Sequence, residues 1–131
     1  MLDVHLRRGE YEPINYEIKN HYLKLNKIIQ DDAFRSDNFY YIENIIGHKK
    51  EDFIAYIREE DKNHYLIVVN YSNNNGCSNI PIYNIKKGFR YCLLYDVLND
   101  KEYITDFNKI KNEGLEVCLE AWESHIIKYN Y

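Results

Sequence analysis

Residues Asp52–Ser72 read "DFIAYIREEDKNHYLIVVNYS", and this stretch decides the fold class. Two apolar runs flank the charged segment "EEDKNH", and the second run is apolar at nearly every position from Tyr65 to Tyr71. Successive side chains of a strand point to opposite faces, so a run that is apolar on both faces indicates a strand that is covered on both sides. The stretch therefore predicts a β-hairpin whose second strand is central in a sheet.

The rest of the chain after Phe39 repeats this pattern of short runs with turn signals between them, such as Gly47, "NNNG", "KKG" and "NEG". The pattern predicts eight strands: Phe39–Ile46, Asp52–Glu59, His64–Tyr71, Cys77–Tyr83, Phe89–Asp96, Lys101–Thr105, Leu115–Glu120 and Ser124–Tyr129. Short strands at this spacing without intervening helices are typical of an all-β protein. We expect an antiparallel Greek-key β-sandwich.

One amphipathic helix precedes the predicted strands. Between Pro13 and Asp32, apolar residues recur at helical spacing: Ile14, Ile18, Tyr22, Leu25 and Ile29. The helix ends in Asp31 and Asp32, which oppose its dipole, so we expect either fraying or a tertiary partner there. A lone helix has no obvious place in a sandwich, and we predict two units, residues 1–36 with the helix and residues 37–131 with the sandwich.

Composition excludes several classes of function. The 131 residues carry a net charge of −4, which argues against a surface that follows nucleic-acid phosphates, and no apolar run is long enough to span a membrane. The N-terminal segment lacks the apolar core of a signal peptide, although a leader further upstream in a longer parent is compatible with this chain. The three cysteines, Cys77, Cys92 and Cys118, fit no zinc motif and lie in or beside apolar runs. We expect three reduced packing residues in a cytoplasmic protein.

The order of these segments resembles the end of an α-amylase-type glycoside hydrolase of family 13. The resemblance covers about residues 14–129 and rests on "YLKLNKII", "DDAFRSDNFYYIEN", the hairpin "DFIAYIREEDKNHYLIVVNYSNN", "GFRYCLLYDVLN" and "LEVCLEAWESHIIKY". In that family, such segments form the last helix of the catalytic (β/α)8 barrel and the C-terminal sandwich. The chain departs from the family where a proline usually precedes the last strand, since Trp122 or Glu123 stands there.

The resemblance implies a non-catalytic accessory domain of an enzyme that acts on α-glucans. The helix residues Ile18, Tyr22, Leu25 and Ile29 would dock on the barrel, and the isolated chain would tend to self-associate through them. The family's catalytic signatures "G.R.D" and "HD" do not occur in the sequence, so we expect no enzymatic activity from this chain alone. The alternatives are a stand-alone carbohydrate-binding module for starch or glycogen, and an interaction domain unrelated to glycosidases. The sequence upstream of Met1 would separate them, since a barrel there favours the family and a true start codon argues against it.

Other residues offer little chemistry. The acidic groups Glu59–Asp61, Asp31–Asp32 and Glu51–Asp52 lie in predicted turns or at element ends, where water keeps both partners ionised, whereas glycosidic hydrolysis requires one protonated carboxyl. A nucleophilic pair of Cys118 with His125 is the weaker alternative to simple packing. The histidines show no ligand spacing, so no metal and no cofactor is predicted. Aromatic rings suit the apolar faces of sugars, and the candidates are Trp122, Tyr103, Tyr129 and Tyr131.

Overall fold

The computed structural model describes residues 15–47, 49–60, 63–82 and 90–129. Helix α1 spans Tyr16–Ile28 and helix α2 spans Phe107–Glu113. The strands are β1 (Phe39–Tyr41), β2 (Phe53–Glu60), β3 (Asn63–Asn70), β4 (Gly76–Ile80), β5 (Tyr91–Asp96), β6 (Lys101–Asp106), β7 (Leu115–Leu119) and β8 (Ser124–Tyr129). Two 3-10 turns, Asp32–Phe34 and Lys50–Asp52, are the other helical segments of the described ranges, and no helix there is long and apolar enough to cross a membrane.

The eight strands form two sheets that pack face to face. The large sheet has the order β1-β2-β3-β8-β5-β6, the small sheet pairs β4 with β7, and every pairing is antiparallel. The last strand thus lies between β3 and β5 rather than at an edge. The prediction of an all-β sandwich of about eight strands behind one helix is confirmed.

The hairpin that opened the sequence analysis forms the middle of the large sheet. Strands β2 and β3 pair from Phe53 opposite Asn70 to Glu60 opposite Asn63, and β8 covers the other edge of β3. Four successive residues of β3, from Tyr65 to Val68, are buried. The burial of both faces explains why this run is continuously apolar, and the predicted central strand is confirmed.

The main core lies between the two sheets. The inward side chains of β2, β3 and β8 meet those of the small sheet, and buried Ile42 and Ile45 close one end. The predicted strand Phe39–Ile46 is shorter than expected: pairing with β2 ends at Tyr41, and Ile46 bridges to Asn79 of the small sheet instead. The segment after Tyr41 therefore passes from one sheet to the other.

A second cluster covers the opposite, outer face of the large sheet. Its buried members are Ala33, Tyr65, Ile67 and Ile126, and partly buried residues from the end of α1 and the following turn pack on them, among them Leu25, Ile28 and Phe34. Ala33 is fully buried there. The turn Asp32–Phe34 is thus packed on the sandwich, although the sequence assigned it to the N-terminal unit. The boundary at residue 36 stays a prediction.

The short helix α2 was not predicted. Asp106 caps its first turn by accepting hydrogen bonds from the backbone N–H groups of Asn108 and Lys109, at 2.8 and 3.4 Å, and Gly114 follows the last turn with a φ of 82°. These are ordinary start and stop signals. Ile110 is the one buried residue among the seven of this helix. The sequence therefore shows no periodic apolar pattern from which the helix could be predicted.

The prediction of three reduced cysteines is wrong for two of them. Cys77 and Cys118 are directly opposite in the small sheet and form a disulfide on its exposed face. Cys92 is a free, buried residue of the main core, as expected. The apolar setting of Cys77 and Cys118 in the sequence concealed the pairing, because their strand register was not known.

Candidate functional site

The outer surface, which we define as α1 together with the outward face of the large sheet, carries exposed apolar side chains. Helix α1 begins after Asn15, whose side chain accepts a hydrogen bond from the N–H of Ile18 at 3.2 Å. The predicted start at Pro13 and the stripe residue Ile14 lie outside the described residues.

The helix touches the sandwich only through its C-terminal part. Leu25 and Ile28 are half-buried against the outer cluster, whereas Ile18 and Tyr22 are 54% and 59% exposed and Ile29 is also exposed. No residue of α1 is fully buried. Of the four predicted docking residues, Leu25 therefore packs within the domain, and Ile18, Tyr22 and Ile29 are available to another surface. Tyr16 and Leu23 add further exposed apolar area.

Polar contacts fix the end of α1 on the sheet. The hydroxyl of Tyr65 donates to Asp31 Oδ2 at 2.8 Å, while Asp31 Oδ1 accepts the N–H of Ala33 at 3.0 Å. The expectation that the acidic helix end has a tertiary partner is confirmed for Asp31. Burial, followed by the hydrogen bond to Asp31 and its charge, raises the pKa of Tyr65 well above the usual value, so this hydroxyl stays a donor at neutral pH.

Arg58 makes the second connection. Its Nη2 donates to the carbonyl oxygens of Phe34 and Ser36, the latter at 3.0 Å, and its Nε donates to that of Ala33 at 3.4 Å. One guanidinium thus binds three carbonyls of the turn that follows α1. Lys24 of the helix also pairs with Asp100 in the turn after β5. Because these contacts involve three separate strands or turns, α1 has a defined position on the outer surface.

The edge strand β1 extends the apolar area. Phe39 and Tyr41 are about half exposed and lie opposite Arg58 and Tyr56 on the outward face. The rings of Phe39 and Tyr56 are 5.2 Å apart, and the guanidinium of Arg58 lies 5.8 Å from the Phe39 centroid. An exposed area with several aromatic residues on a fixed scaffold is characteristic of a contact surface.

The four residues predicted to bind sugar are not brought together. Trp122 is 62% exposed in the turn between β7 and β8, and Tyr103 is exposed on β6. Tyr129 is fully buried beside His64, so it offers no ring to a ligand and the prediction is wrong for this residue. Tyr131 lies outside the described residues. Sequence reasoning missed Tyr71, whose exposed ring meets Trp122 edge-on with centroids 5.4 Å apart.

Asp96 and Cys118, which lie near His125 in the sequence predictions or in the structure, have structural roles. The buried Asp96 accepts hydrogen bonds from the backbone N–H groups of Leu98 and Asn99 and from the Asn99 side chain, which fixes the turn after β5. His125 Nε2 lies 3.9 Å from the same carboxylate. Cys118 is bound in the disulfide, so the alternative of a Cys118–His125 nucleophile is ruled out for this state. Within the described residues no three His, Cys, Asp or Glu side chains converge as metal ligands.

Three solved structures that are similar to this chain are named as two α-amylases and one candidate glycosidase. At the sequence level, no family model and no curated protein matches the chain. An Anoxybacillus α-amylase superposes with a TM-score of 0.60 at 13% identity, over 88% of this chain and 23% of that one. A Geobacillus thermoleovorans α-amylase solved with acarbose gives 0.57 at 14% identity, over 78% and 20%. A Bacillus halodurans protein named as a candidate α-N-acetylgalactosaminidase gives 0.51 at 12% identity, over 70% and 20%.

These likenesses show the fold of the chain. At 12–14% identity, the site residues of these proteins cannot be assigned to positions of this chain. The chain spans no more than about a quarter of the length of the glycosidases it matches, so this fold is one part of each of those larger proteins.

Proposed function

We propose that this chain is a non-catalytic accessory domain of an α-amylase-type glycoside hydrolase that acts on α-glucans. In this proposal the outer surface docks on the catalytic (β/α)8 barrel and stabilises it. Residues 1–36 supply the helix that faces the barrel, and residues 37–131 form the sandwich. The order of sequence segments and the likeness in fold to parts of two α-amylases support the proposal.

The observation that carries the proposal is the apolar helix surface that the sandwich does not cover. Ile18, Tyr22 and Ile29 are about half exposed, although α1 is fixed in place by Arg58 and by the Tyr65–Asp31 hydrogen bond. A surface helix normally buries its apolar stripe against the body that holds it. Full burial of one large aliphatic side chain contributes about 1.5–3 kcal/mol, so these residues together would stabilise a docked barrel by several kcal/mol.

The arrangement of carboxylates supports a role without catalysis. Glycosidic cleavage uses two carboxyl groups about 5–9.5 Å apart across a sugar site, one of them protonated. Asp31 is bound to Tyr65, Asp96 fixes a turn, and the carboxylate of Glu123 accepts the N–H of Glu120 at 2.8 Å. These groups stabilise the scaffold, and we assign the chemistry of the parent enzyme to the barrel.

The compartment is a separate part of the proposal. Cytoplasmic residence was predicted on the view that all cysteines are reduced, and the Cys77–Cys118 disulfide removes that support. Disulfides persist in oxidising compartments, so an exported parent enzyme is favoured instead. Self-association of the isolated chain through α1 stays a prediction.

Photo-crosslinking from the helix tests the docking. A benzophenone amino acid replaces Tyr22 in the protein expressed in its own cells, and the matched control carries the same group at Lys111, which is exposed on α2 away from the outer surface. The expected result is attachment to a glycosidase barrel from position 22 and none from position 111. Equal attachment from both positions, or attachment from position 22 to proteins without a barrel, would contradict the proposal.

A further inference from the structure

Two exposed aromatic rings, those of Tyr71 and Trp122, contact each other on neighbouring turns of the sandwich. Tyr71 follows β3 and Trp122 lies between β7 and β8, 68% and 62% exposed. Their rings are nearly perpendicular, at 87°, with centroids 5.4 Å apart. An edge-to-face contact between two rings is favourable, but two buried rings would stabilise the folded domain more. The exposure of both rings therefore gives up part of the stability that they could contribute to the domain.

The backbone holds this pair rigidly. The N–H of Trp122 donates to the carbonyl of Ser72 at 3.1 Å, and the N–H of Tyr71 donates to that of Asp52 at 2.7 Å. The fully buried Asn70 binds both turns, since its amide donates to the carbonyls of Asn74 at 2.7 Å and Glu120 at 3.1 Å. Two turns that are far apart in sequence are therefore joined through one buried side chain.

The conformation of Trp122 is a second observation. Its φ is 61°, in the left-handed region that bulky residues avoid because of steric strain. Glycine or asparagine would occupy the same position with less strain. A bulky aromatic residue that is strained, exposed and held by the surrounding hydrogen bonds is the pattern expected when the ring serves binding rather than folding.

The two turns that carry the rings also supply polar side chains. Asn75, Glu120 and Glu123 line a shallow depression of about 400 Å³ together with residues of the small sheet. The Asn75 Oδ1 and Glu123 Oε2 atoms already accept backbone N–H groups at 3.0 and 2.8 Å, which fixes their orientation. Exposed aromatic rings on turns that also carry fixed amide and carboxylate groups suit a pyranose ring, whose C–H face covers an aromatic ring while its hydroxyls bind polar groups.

We propose that Tyr71 and Trp122 form a surface site for α-glucan chains, separate from the outer surface that docks on the barrel. The choice of an α-glucan rests on the proposed function, whereas the site itself rests on the ring pair, the strained backbone and the polar side chains of the two turns. Glycan chains expose sugar faces along their length, so the two rings at right angles hold neighbouring residues of a curved chain better than a flat one.

Affinity electrophoresis tests the site. The chain migrates through native gels that contain glycogen, a β-linked glucan such as hydroxyethyl cellulose, or no polysaccharide. Trp122→Asn and Tyr71→Ala remove the rings, and Tyr91→Ala removes an exposed tyrosine on β5 as the matched control. Asparagine tolerates the positive φ, so Trp122→Asn is expected to keep the fold, which circular dichroism verifies.

We expect retardation in glycogen that Trp122→Asn and Tyr71→Ala each weaken about tenfold or more, while Tyr91→Ala retains it. Unaltered mobility of the original chain in glycogen, retardation that Trp122→Asn leaves intact, or equal retardation in the β-glucan gel would overturn the proposal. The docking of α1 is independent of this result: a barrel crosslinked from position 22 keeps the proposed function even if glycogen does not bind.

Discussion

Replacement of Arg58 by methionine tests how the outer surface holds its helix. Arg58 donates to the carbonyls of Ala33, Phe34 and Ser36. Phe34 and Ser36 are only partly buried and can bind water when the guanidinium is removed, whereas Ala33 is fully buried. Methionine keeps much of the aliphatic packing of the arginine stem. A hydrogen bond from a charged donor contributes a net stability of about 1.5–3 kcal/mol, and the 3.4 Å contact is the weakest of the three.

Rehydration of the Phe34 and Ser36 carbonyls returns part of this energy, so we expect Arg58→Met to lower the free energy of unfolding by about 2 kcal/mol. With an unfolding entropy of about 2.1 cal/mol/K per residue, the 131 residues have about 0.28 kcal/mol/K, and the loss corresponds to roughly 7 °C in Tm. Urea unfolding followed by circular dichroism measures the first quantity. Hydrogen exchange shows where the stability is lost: in Arg58→Met, peptides covering residues 31–36 should exchange faster, and the exchange rate of β7 peptides should be unchanged.

Arg35→Met is the matched control, because Arg35 is exposed on the same turn. An exposed substitution of this kind changes stability by less than about 0.5 kcal/mol. If Arg58→Met were no more destabilising than Arg35→Met, or if exchange at residues 31–36 were unchanged, then the guanidinium would not position the end of α1.

Two further predictions concern stability. The Cys77–Cys118 disulfide closes a loop with a sequence separation of 41, for which chain entropy gives about 4 kcal/mol. Reduction, or replacement of both cysteines by serine, should lower the free energy of unfolding by up to this amount. Unchanged stability, together with two thiols that alkylate without reductant, would show that the bond does not form. Tyr65→Phe should cost about 1–2 kcal/mol at pH 7, where the hydroxyl binds Asp31. The raised pKa keeps Tyr65 protonated in the folded state, while the unfolded chain loses this proton above about pH 10. The stability difference between the wild type and Tyr65→Phe should therefore decline at higher pH. Urea unfolding of both proteins at about pH 7 and about pH 11 measures this difference, and an equal difference at the two pH values would contradict the linkage.

The strands were predictable because burial leaves a local record. The continuous apolar run of β3 follows from its position between β2 and β8, and the alternation in β7 places Val117 and Leu119 in the core and Glu116 in solvent. The helix α1 was predictable from the helical spacing of its apolar residues, although none of its residues is fully buried. Features that depend on pairing across the fold left no such record: the contact of Cys77 with Cys118 follows from strand register, and the burial of Tyr129 follows from the position of β8 inside the sheet.

The candidate sites show the same division. The sequence nominated Trp122 for sugar binding, which stays a prediction, and the structure shows that its ring is exposed. Its partner Tyr71 belongs to an apolar run that is typical of a strand. Only the structure shows that β3 ends at Asn70 and leaves the next ring in solvent. Similarly, Leu25 and Ile18 share one helical stripe in the sequence, and the short contact between α1 and the sheet divides them into a packed and an exposed group.

The central claim is that the exposed part of α1 lies against a catalytic barrel, and mass spectrometric mapping of the peptide crosslinked from position 22 tests it most directly. We predict attachment to a helix on the outside of a (β/α)8 barrel that carries glycosidase carboxylates, whether on the same polypeptide or on another. Attachment only to a second copy of this domain, or no specific attachment in cells that contain the folded protein, would contradict the claim.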